Sequence, residues 1–150
     1  MPLAIFIIVV MGIFALVISR NTIQSSTSAA LEAISTQTFY AAESGAQRGM
    51  QALFFPDPSL RQQVDNRCVG LNATHTFTVS GLKNCSAVVT CTCSYGDNTS
   101  CAPSVGANYT SPAAVSRTTS YYTVTSVATC GSGTLRAVRT IDAGSFLKQE

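Results

Sequence analysis

The sequence predicts an α+β fold in which one long N-terminal helix packs on a four-stranded antiparallel sheet tied by disulfides. Three observations support this expectation. The chain of 150 residues opens with an apolar stretch that carries no charged side chain before Arg20. Four later segments alternate between apolar and polar residues, as strands with one covered face do. Six cysteines, an even number, all lie in the second part of the chain and suggest disulfides.

A single helix is expected from about residue 3 to about residue 54. No proline lies between Pro2 and Pro56, and the sequence FPDP at 55–58 is expected to end the helix. We therefore expect residues 1–20 to form a transmembrane half and residues 21–55 an amphipathic half. After Arg20, apolar or small residues recur in the helical steps of three and four, namely Ile23, Thr27, Ala30, Leu31, Ile34, Thr38, Ala41, Ala42, Gly45, Ala46, Ala52 and Leu53.

The first 19 residues come close to the roughly 20 that cross a bilayer as a helix. A secretory signal peptide is the alternative, but it needs a basic start and a small-residue cleavage site, which this stretch does not offer. If the cysteines are oxidised outside the cytoplasm, the N-terminus lies inside, and that side ordinarily carries Lys or Arg. We therefore expect that a short basic leader has been removed and that Met1 is a processed amino terminus.

Residues 56–150 are expected to form a disulfide-tied head. Strand-like alternation occurs at 75–79, 85–93, 121–130 and 135–141, and the second half of the helix is expected to cover the inner face of the sheet. Residues 131–133, Gly-Ser-Gly, predict a tight hairpin. The stretch 94–120 is rich in Gly, Pro, Asn, Ser and Thr, and loops of that length are normally functional or disordered.

The cysteines at positions 68, 85, 91, 93, 101 and 130 favour disulfides over a metal site. Zinc sites usually combine close cysteine pairs with further pairs or histidines, and here there is one histidine, His75, and no CxxC motif. We expect no metal and no cofactor.

The pairing is open among 15 combinations for six cysteines. We expect Cys68 to bridge Cys85, which would tie the segment before the sheet to the second strand. Cys91 and Cys93 point to the same face of one strand and should have different partners, for which Cys101 and Cys130 are the candidates.

The residue pattern argues against an enzyme and against nucleic-acid binding. His75 is the sole candidate base for a Ser-His-Asp arrangement, and no G-x-S-x-G, phosphate-loop, dinucleotide or calcium motif occurs. Nine basic and seven acidic residues are scattered and give a formal net charge of +2, so there is no basic patch for nucleic acid.

Two side-chain groupings in the head are candidates for interactions. Tyr95, Asn108 and Tyr109 in the long loop could form a binding surface, because tyrosine often anchors such surfaces; a plain variable loop is the favoured alternative. Arg139 is expected on the inward face of the last strand, with Glu43 of the helix as a candidate partner.

The stretch FYAAESGAQRG at 39–49 is similar to the AAESG-containing helix of atypical minor pilins. The strand Cys85-x5-Cys91 and the hairpin Cys130-Gly-Ser-Gly add to that similarity. In overall design the whole chain resembles the type IV pilin and pseudopilin family, and most of all the minor pilins of mannose-sensitive haemagglutinin (MSHA) pili. The resemblance implies a structural protein that takes part in pilus biogenesis.

The resemblance also implies how the chain is processed, inserted in the membrane and assembled. In that family a prepilin peptidase of the inner membrane removes a basic leader ending in Gly and methylates the new amino terminus, whose position Met1 matches. The head is then periplasmic and the N-terminus inside. The membrane assembly machinery later packs the N-terminal helices of major and minor pilins into an extracellular filament.

Ile5 departs from the major pilins, most of which carry Glu at this position. A carboxylate within a bilayer needs a paired cation, and in pilins that cation is thought to be a neighbour's terminal amine; Ile5 removes the need. The tip pseudopilin of type II secretion also lacks this Glu, so we expect a place at or near the filament tip. The alternatives are a tip adhesin acting through loop 94–120, a secretion pseudopilin, or a tethered periplasmic domain unrelated to pili.

Overall fold

The computed structural model of the chain describes residues 2–55, 60–110 and 117–148. Helix α1 runs over Pro2–Phe54 and helix α2 over Arg61–Gly70. The strands are β1 (Asn72–Thr76), β2 (Cys85–Tyr95), β3 (Thr119–Ser132) and β4 (Leu135–Lys148), and a short 3₁₀ turn covers Gly106–Asn108. The predicted α+β class, with one long helix and a four-stranded antiparallel sheet, is confirmed.

The sheet is an antiparallel meander in the order β1-β2-β3-β4. Its central pair runs without interruption from Cys85 opposite Cys130 to Tyr95 opposite Ser120. The β3–β4 pair is longer and closes in a hairpin after Ser132. Gly131 has a φ of 85°, and a Cβ there would collide with the carbonyl oxygen of Leu135, so the hairpin requires glycine at this position.

Alternation along the two central strands places one face against α1. The even positions of β3 from Ser120 to Cys130 are all buried, and the odd positions of β2 are buried or half-buried. The first strand differs from expectation, because β1 covers Asn72–Thr76 instead of 75–79. Phe77, just after it, donates its main-chain N–H to Cys85 at 3.1 Å and packs on the core. One end of the core is lined by Ala41, Ala42, Cys85, Ala87, Ala128 and Cys130, and the other by Leu53, Val64, Cys68, Val89, Tyr122 and Val124.

Helix α1 contacts the head over less than half of its length. Its side chains are exposed from Ile5 to Ala29 wherever they are described, except for half-buried Val10; the first fully buried one is Thr38. Residues 2–29, which we call the rod, therefore extend beyond the head by about 40 Å, at 1.5 Å per residue. Contact with the head begins only near Ala30, later than the start of the expected amphipathic half at residue 21.

Small residues bring α1 close to the sheet. Ala41 and Ala42 are fully buried, and a Cβ added to Gly45 would collide with the hydroxyl of Ser126. A Cβ added to Gly49 would lie 2.7 Å from methyl groups of both Val89 and Val124. The motif AAESG at 41–45 and the glycine four residues later thus form the contact face of the helix.

We expect Gly49→Ala to lower the free energy of unfolding of the head by about 1–2 kcal/mol. Overpacking against two stiff valines costs about 1–3 kcal/mol, and the higher helix propensity of alanine offsets up to about 1 kcal/mol of it. Urea unfolding of the full chain in detergent, followed by tyrosine fluorescence, measures the change. Gly12→Ala is the matched control, since nothing lies within 4 Å of an added Cβ there. Equal behaviour of the two variants would contradict close packing at Gly49.

Candidate functional site

The first part of the rod, from Ile5 to Ile18, exposes apolar side chains on every side. Ile5, Phe6, Ile8, Met11 and Phe14 are each about two-thirds exposed, and Arg20 is the only charged residue before Glu32. A surface patch of this size is far larger than the few hundred Å² that soluble monomers ordinarily expose. The rod therefore needs a cover from outside the chain, which lipid or other apolar helices would supply.

By length and composition, α1 is the one helix in the described ranges that could cross a membrane, as a membrane anchor or a signal sequence would. The apolar segment before Arg20 matches the roughly 30 Å of a bilayer core. Ile5 lies one turn into the helix with its side chain 65% exposed. Met1 lies outside the described residues.

The head contains a buried polar cluster, which we call the loop anchor: Arg61, Asp65, Tyr95, Asn108, Tyr109, Ser120 and Tyr122. Asp65, on α2, is fully buried at its centre. Tyr122 donates a hydrogen bond to Oδ1 of Asp65 at 2.5 Å. Its Oδ2 accepts from Tyr109 at 2.7 Å and from Ser120 at 3.0 Å. Three hydroxyl donors thus replace the water that the carboxylate has lost.

Arg61 supplies the positive charge beside this carboxylate. Its guanidinium lies 4.0 Å from Asp65 one helical turn later, and it donates to the Ser120 hydroxyl at 2.8 Å. It also donates to the main-chain carbonyl of Asn108 and lies 4.5 Å from the ring centre of Tyr109. One buried cation therefore ties α2 to β3 and to the loop.

The three residues predicted as a binding surface are part of this anchor. Tyr95 and Asn108 are buried and Tyr109 is half-buried. Tyr109 donates its one hydroxyl proton to Asp65, so in the 2.9 Å contact between the two phenols Tyr95 must be the donor. The Tyr95 oxygen in turn accepts from the main-chain amide of Ala102 at 3.0 Å. These side chains hold the loop to the head instead of facing outward.

The phenols of Tyr109 and Tyr122 stay protonated at physiological pH. Burial, with the hydrogen bond to Asp65 as a further cause, raises the pKa of Tyr122 above its ordinary value. Burial and the hydrogen bonds to Tyr95 and Asp65 raise the pKa of Tyr109 in the same direction. Both groups therefore remain donors to the carboxylate.

A second, exposed ion pair fixes the outer part of the loop. Arg117 donates to Asp97 at 3.1 Å and to the Asn108 side chain at 3.1 Å. The hydroxyl and the main-chain amide of Thr99 also donate to Asp97, at 2.5 and 3.1 Å. The Thr99 hydroxyl above all, with Arg117 as a smaller cause, lowers the pKa of Asp97 to about 2.

All six cysteines form disulfides, but the expected bridge from Cys68 to Cys85 is wrong. The pairs are Cys68–Cys91, Cys85–Cys130 and Cys93–Cys101. Cys85 lies directly opposite Cys130 in the β2–β3 register, so that pair closes across the sheet. Cys68 lies in α2, whose packing against β2 turns it to Cys91. The prediction that Cys91 and Cys93 have different partners is confirmed, and Cys101 is the partner of Cys93; the other candidate, Cys130, pairs with neither.

Two further sequence candidates lie away from the loop anchor. Arg139 is exposed on the edge strand β4 and donates to the Ser35 hydroxyl, at 2.6 and 3.2 Å, so the suggested pairing with Glu43 is wrong. Ser35 lies about two helical turns before Glu43, at the point where α1 passes β4. His75 lies on the edge strand β1 opposite Ala87, far along the sheet from the anchor.

One group of side chains has the composition of a metal site. Ligand atoms of Asp65, Cys93 and Cys101 all lie within 4.8 Å of one another. Both sulfurs belong to the same disulfide, so in this state neither is a thiolate ligand. A groove of about 540 Å³ opens beside Cys101, between α2 and residues 101–104.

Comparison with protein-family models, with curated proteins and with solved structures returns no match for this chain.

We expect Asp65→Asn to lower the free energy of unfolding of the head by about 3 kcal/mol. The neutral amide leaves Arg61 without its counter-charge, and its NH₂ group faces hydroxyls that are themselves donors. Hydrogen exchange at the main-chain amides of Ala102 and Asn108 should accelerate with it. Asp142→Asn is the matched control, since this carboxylate is exposed on β4, away from the loop. Equal destabilisation by the two substitutions would rule out Asp65 as the centre of the loop's contacts.

The carboxyl of Asp97 should titrate in the folded chain with a midpoint near pH 2, below the usual 3.8. Because the folded pKa is depressed, its ionised form stabilises the fold above about pH 4, and that contribution disappears as the pH falls toward 2. NMR titration of the carboxyl carbon measures the midpoint. Thr99→Val should raise it more than Arg117→Gln does, since the Thr99 hydroxyl is the larger cause; the reverse order would contradict this assignment.

Proposed function

We propose that the chain is a structural minor pilin of an MSHA-type type IV pilus, acting in pilus initiation at or near the filament tip. The observation that carries the proposal is the continuity of α1. One unbroken helix of 53 residues joins an exposed apolar rod to a disulfide-tied head without a linker. A simple membrane tether would gain nothing from continuing as a rigid helix into the sheet.

The rod explains how such a subunit would assemble. Lipid covers its apolar sides before assembly, and the apolar helices of other pilins cover them afterwards, so water never meets them. The single charge at Arg20 sits at the end of the apolar segment, where it can reach the membrane surface. The proposed partners are therefore major and minor pilins along the rod, with the prepilin peptidase and the inner-membrane assembly machinery acting earlier.

Ile5 supports a position at the tip. A subunit with Glu at this depth needs a neighbour's amine to neutralise it, and that neighbour must already be in place. With Ile5 the rod has no buried charge before Arg20, so entry into the bundle requires no such partner. This favours the first subunits of a filament, which have no neighbour above them.

The disulfides are consistent with the proposed location. Three bridges persist where thiols are oxidised, as in the bacterial periplasm or outside the cell. The head is accordingly periplasmic with the N-terminus inside before assembly, and extracellular in the filament. The contacts of the loop favour a structural role over an adhesin, because the tyrosines of the anchor face inward.

Gold labelling of an epitope fused to the C-terminal end of the head, in the source cells, tests the proposal. We expect label at one end of sheared filaments and at least a tenfold loss of filaments when the gene is deleted. Label along the shaft would contradict the tip position. Unchanged filaments, with the chain retained in the inner-membrane fraction, would contradict a pilin altogether and favour a tethered periplasmic domain.

Two variants sharpen this test. Ile5→Glu should spread the label along the shaft if the missing carboxylate sets the position, whereas Ile7→Leu, a matched apolar change in the same turn, should leave it at the tip. The intact mass of the purified chain should show one methyl group on Met1 and six hydrogens fewer than the reduced chain, one pair for each disulfide.

A further inference from the structure

We propose that reduction of the Cys93–Cys101 disulfide, which lies beside the loop anchor, creates a zinc site. Its ligands are the two thiolates and the carboxylate of Asp65. This inference is independent of the pilin proposal. It rests on three ligand atoms that approach one another from a strand, a loop and a helix, at the place where the loop is fastened to the head.

The distances suit a small tetrahedral ion. Oδ1 of Asp65 lies 3.7 Å from Sγ of Cys93, and all three ligand atoms are within 4.8 Å of one another. With Zn–S bonds of about 2.3 Å and Zn–O bonds of about 2.0 Å, tetrahedral ligands lie roughly 3.5–3.8 Å apart. Only the two sulfurs have to move, from bonding distance to that spacing, once their bond is broken.

The carboxylate is already oriented for this role. Tyr122 holds Oδ1 by one hydrogen bond, and Tyr109 and Ser120 hold Oδ2. Hydrogen bonds from neighbours of this kind fix the position of metal ligands and are a regular part of metal sites. Asp65 would need no rearrangement to present an oxygen to an ion beside Cys93.

The charges also balance. Two thiolates and one carboxylate bring three negative charges into a buried place, and Arg61, 4.0 Å from Asp65, brings one positive charge. A divalent cation makes the sum zero. Soft thiolate ligands select Zn²⁺ over Mg²⁺ or Ca²⁺, which prefer oxygen.

The groove beside Cys101 gives the ion a path and leaves one position for water. It is lined by polar side chains of α2, among them Gln62 and Asn66, together with Cys101 itself. Cys93 is half-buried, and Cys101 lines this opening. A small reductant therefore has a path to the Cys93–Cys101 bridge.

The chemistry needs a dithiol as reductant. Its two thiols become a disulfide while the Cys93–Cys101 bond takes up two electrons and two protons and breaks into two thiols. Zinc binding then displaces those two protons into water and leaves both sulfurs as ligands. The loop between residues 93 and 101 is closed in either state, by a covalent bond or by the ion.

Residue-level protection from alkylation tests the proposal on the full chain in detergent. The chain is reduced with dithiothreitol, the reductant is removed under argon, and iodoacetamide is added with or without one equivalent of Zn²⁺. Peptide masses then report each cysteine. We expect zinc to slow alkylation of Cys93 and Cys101 at least tenfold and to leave the other reduced cysteines unchanged.

Protection of other cysteines, or protection of none, would overturn the proposal, whether or not the reduced head stays folded. In addition, Co²⁺ should give a thiolate charge-transfer absorption with the reduced chain and none with the oxidised chain; an equal signal from both would also overturn it.

Matched variants distinguish the proposed ligand Asp65 from Tyr122, which hydrogen-bonds to it. Asp65→Asn should weaken zinc binding by at least about tenfold, and Asp97→Asn should not change it. Tyr122→Phe, which removes the donor to Oδ1, should weaken binding by about tenfold, while Tyr121→Phe on the exposed face should not. If Asp65→Asn fails to fold, the Tyr122→Phe and Tyr121→Phe pair decides: equal zinc affinity in both would mean that Asp65 is not a ligand.

Discussion

The fully buried carboxylate of Asp65 is the constraint on which the irregular part of the head depends. A buried charge without partners costs several kcal/mol, so its surroundings must supply both a counter-charge and donors. Arg61 and three hydroxyls do so, and they come from α2, from the loop and from β3. The hydrogen bonds that satisfy this one charge therefore also hold the loop to the head.

The regular elements could be predicted from the sequence because their signals are local. The absence of proline between Pro2 and Pro56 and the spacing of apolar residues by three and four predicted the length of α1. The alternation of apolar and polar residues predicted the buried faces of β2 and β3. Cys91 and Cys93 are two positions apart on one strand and therefore share a face, which was enough to predict different partners for them. Each of these inferences needs only residues within a few positions of one another.

The loop anchor could not be predicted because the residues that form it are distant from one another in the sequence. Helix α2 is short and polar, and the burial of Arg61 and Asp65 depends on Ser120 and Tyr122, more than 50 residues away. Tyr95 and Tyr109 looked like surface anchors for the same reason, since nothing near them in the sequence reveals the carboxylate that their hydroxyls approach. The one available signal was an Arg and an Asp four residues apart, with an apolar residue between them and a cysteine three residues further on.

The two ends of α1 are stabilised in opposite ways, and this bears on how the molecule can work. At the head, small residues of α1 allow close contact with the sheet, and larger ones such as Leu53 join the core. In the described part of the rod, the large apolar side chains between Ile5 and Ile18 are mostly exposed and open to a partner outside the chain. In the proposed assembly this exposed segment exchanges lipid for neighbouring helices, whereas the core contacts of α1 come from residues nearer its C-terminal end, such as Ala41 and Leu53. Under that proposal the subunit would leave the membrane without unfolding its head.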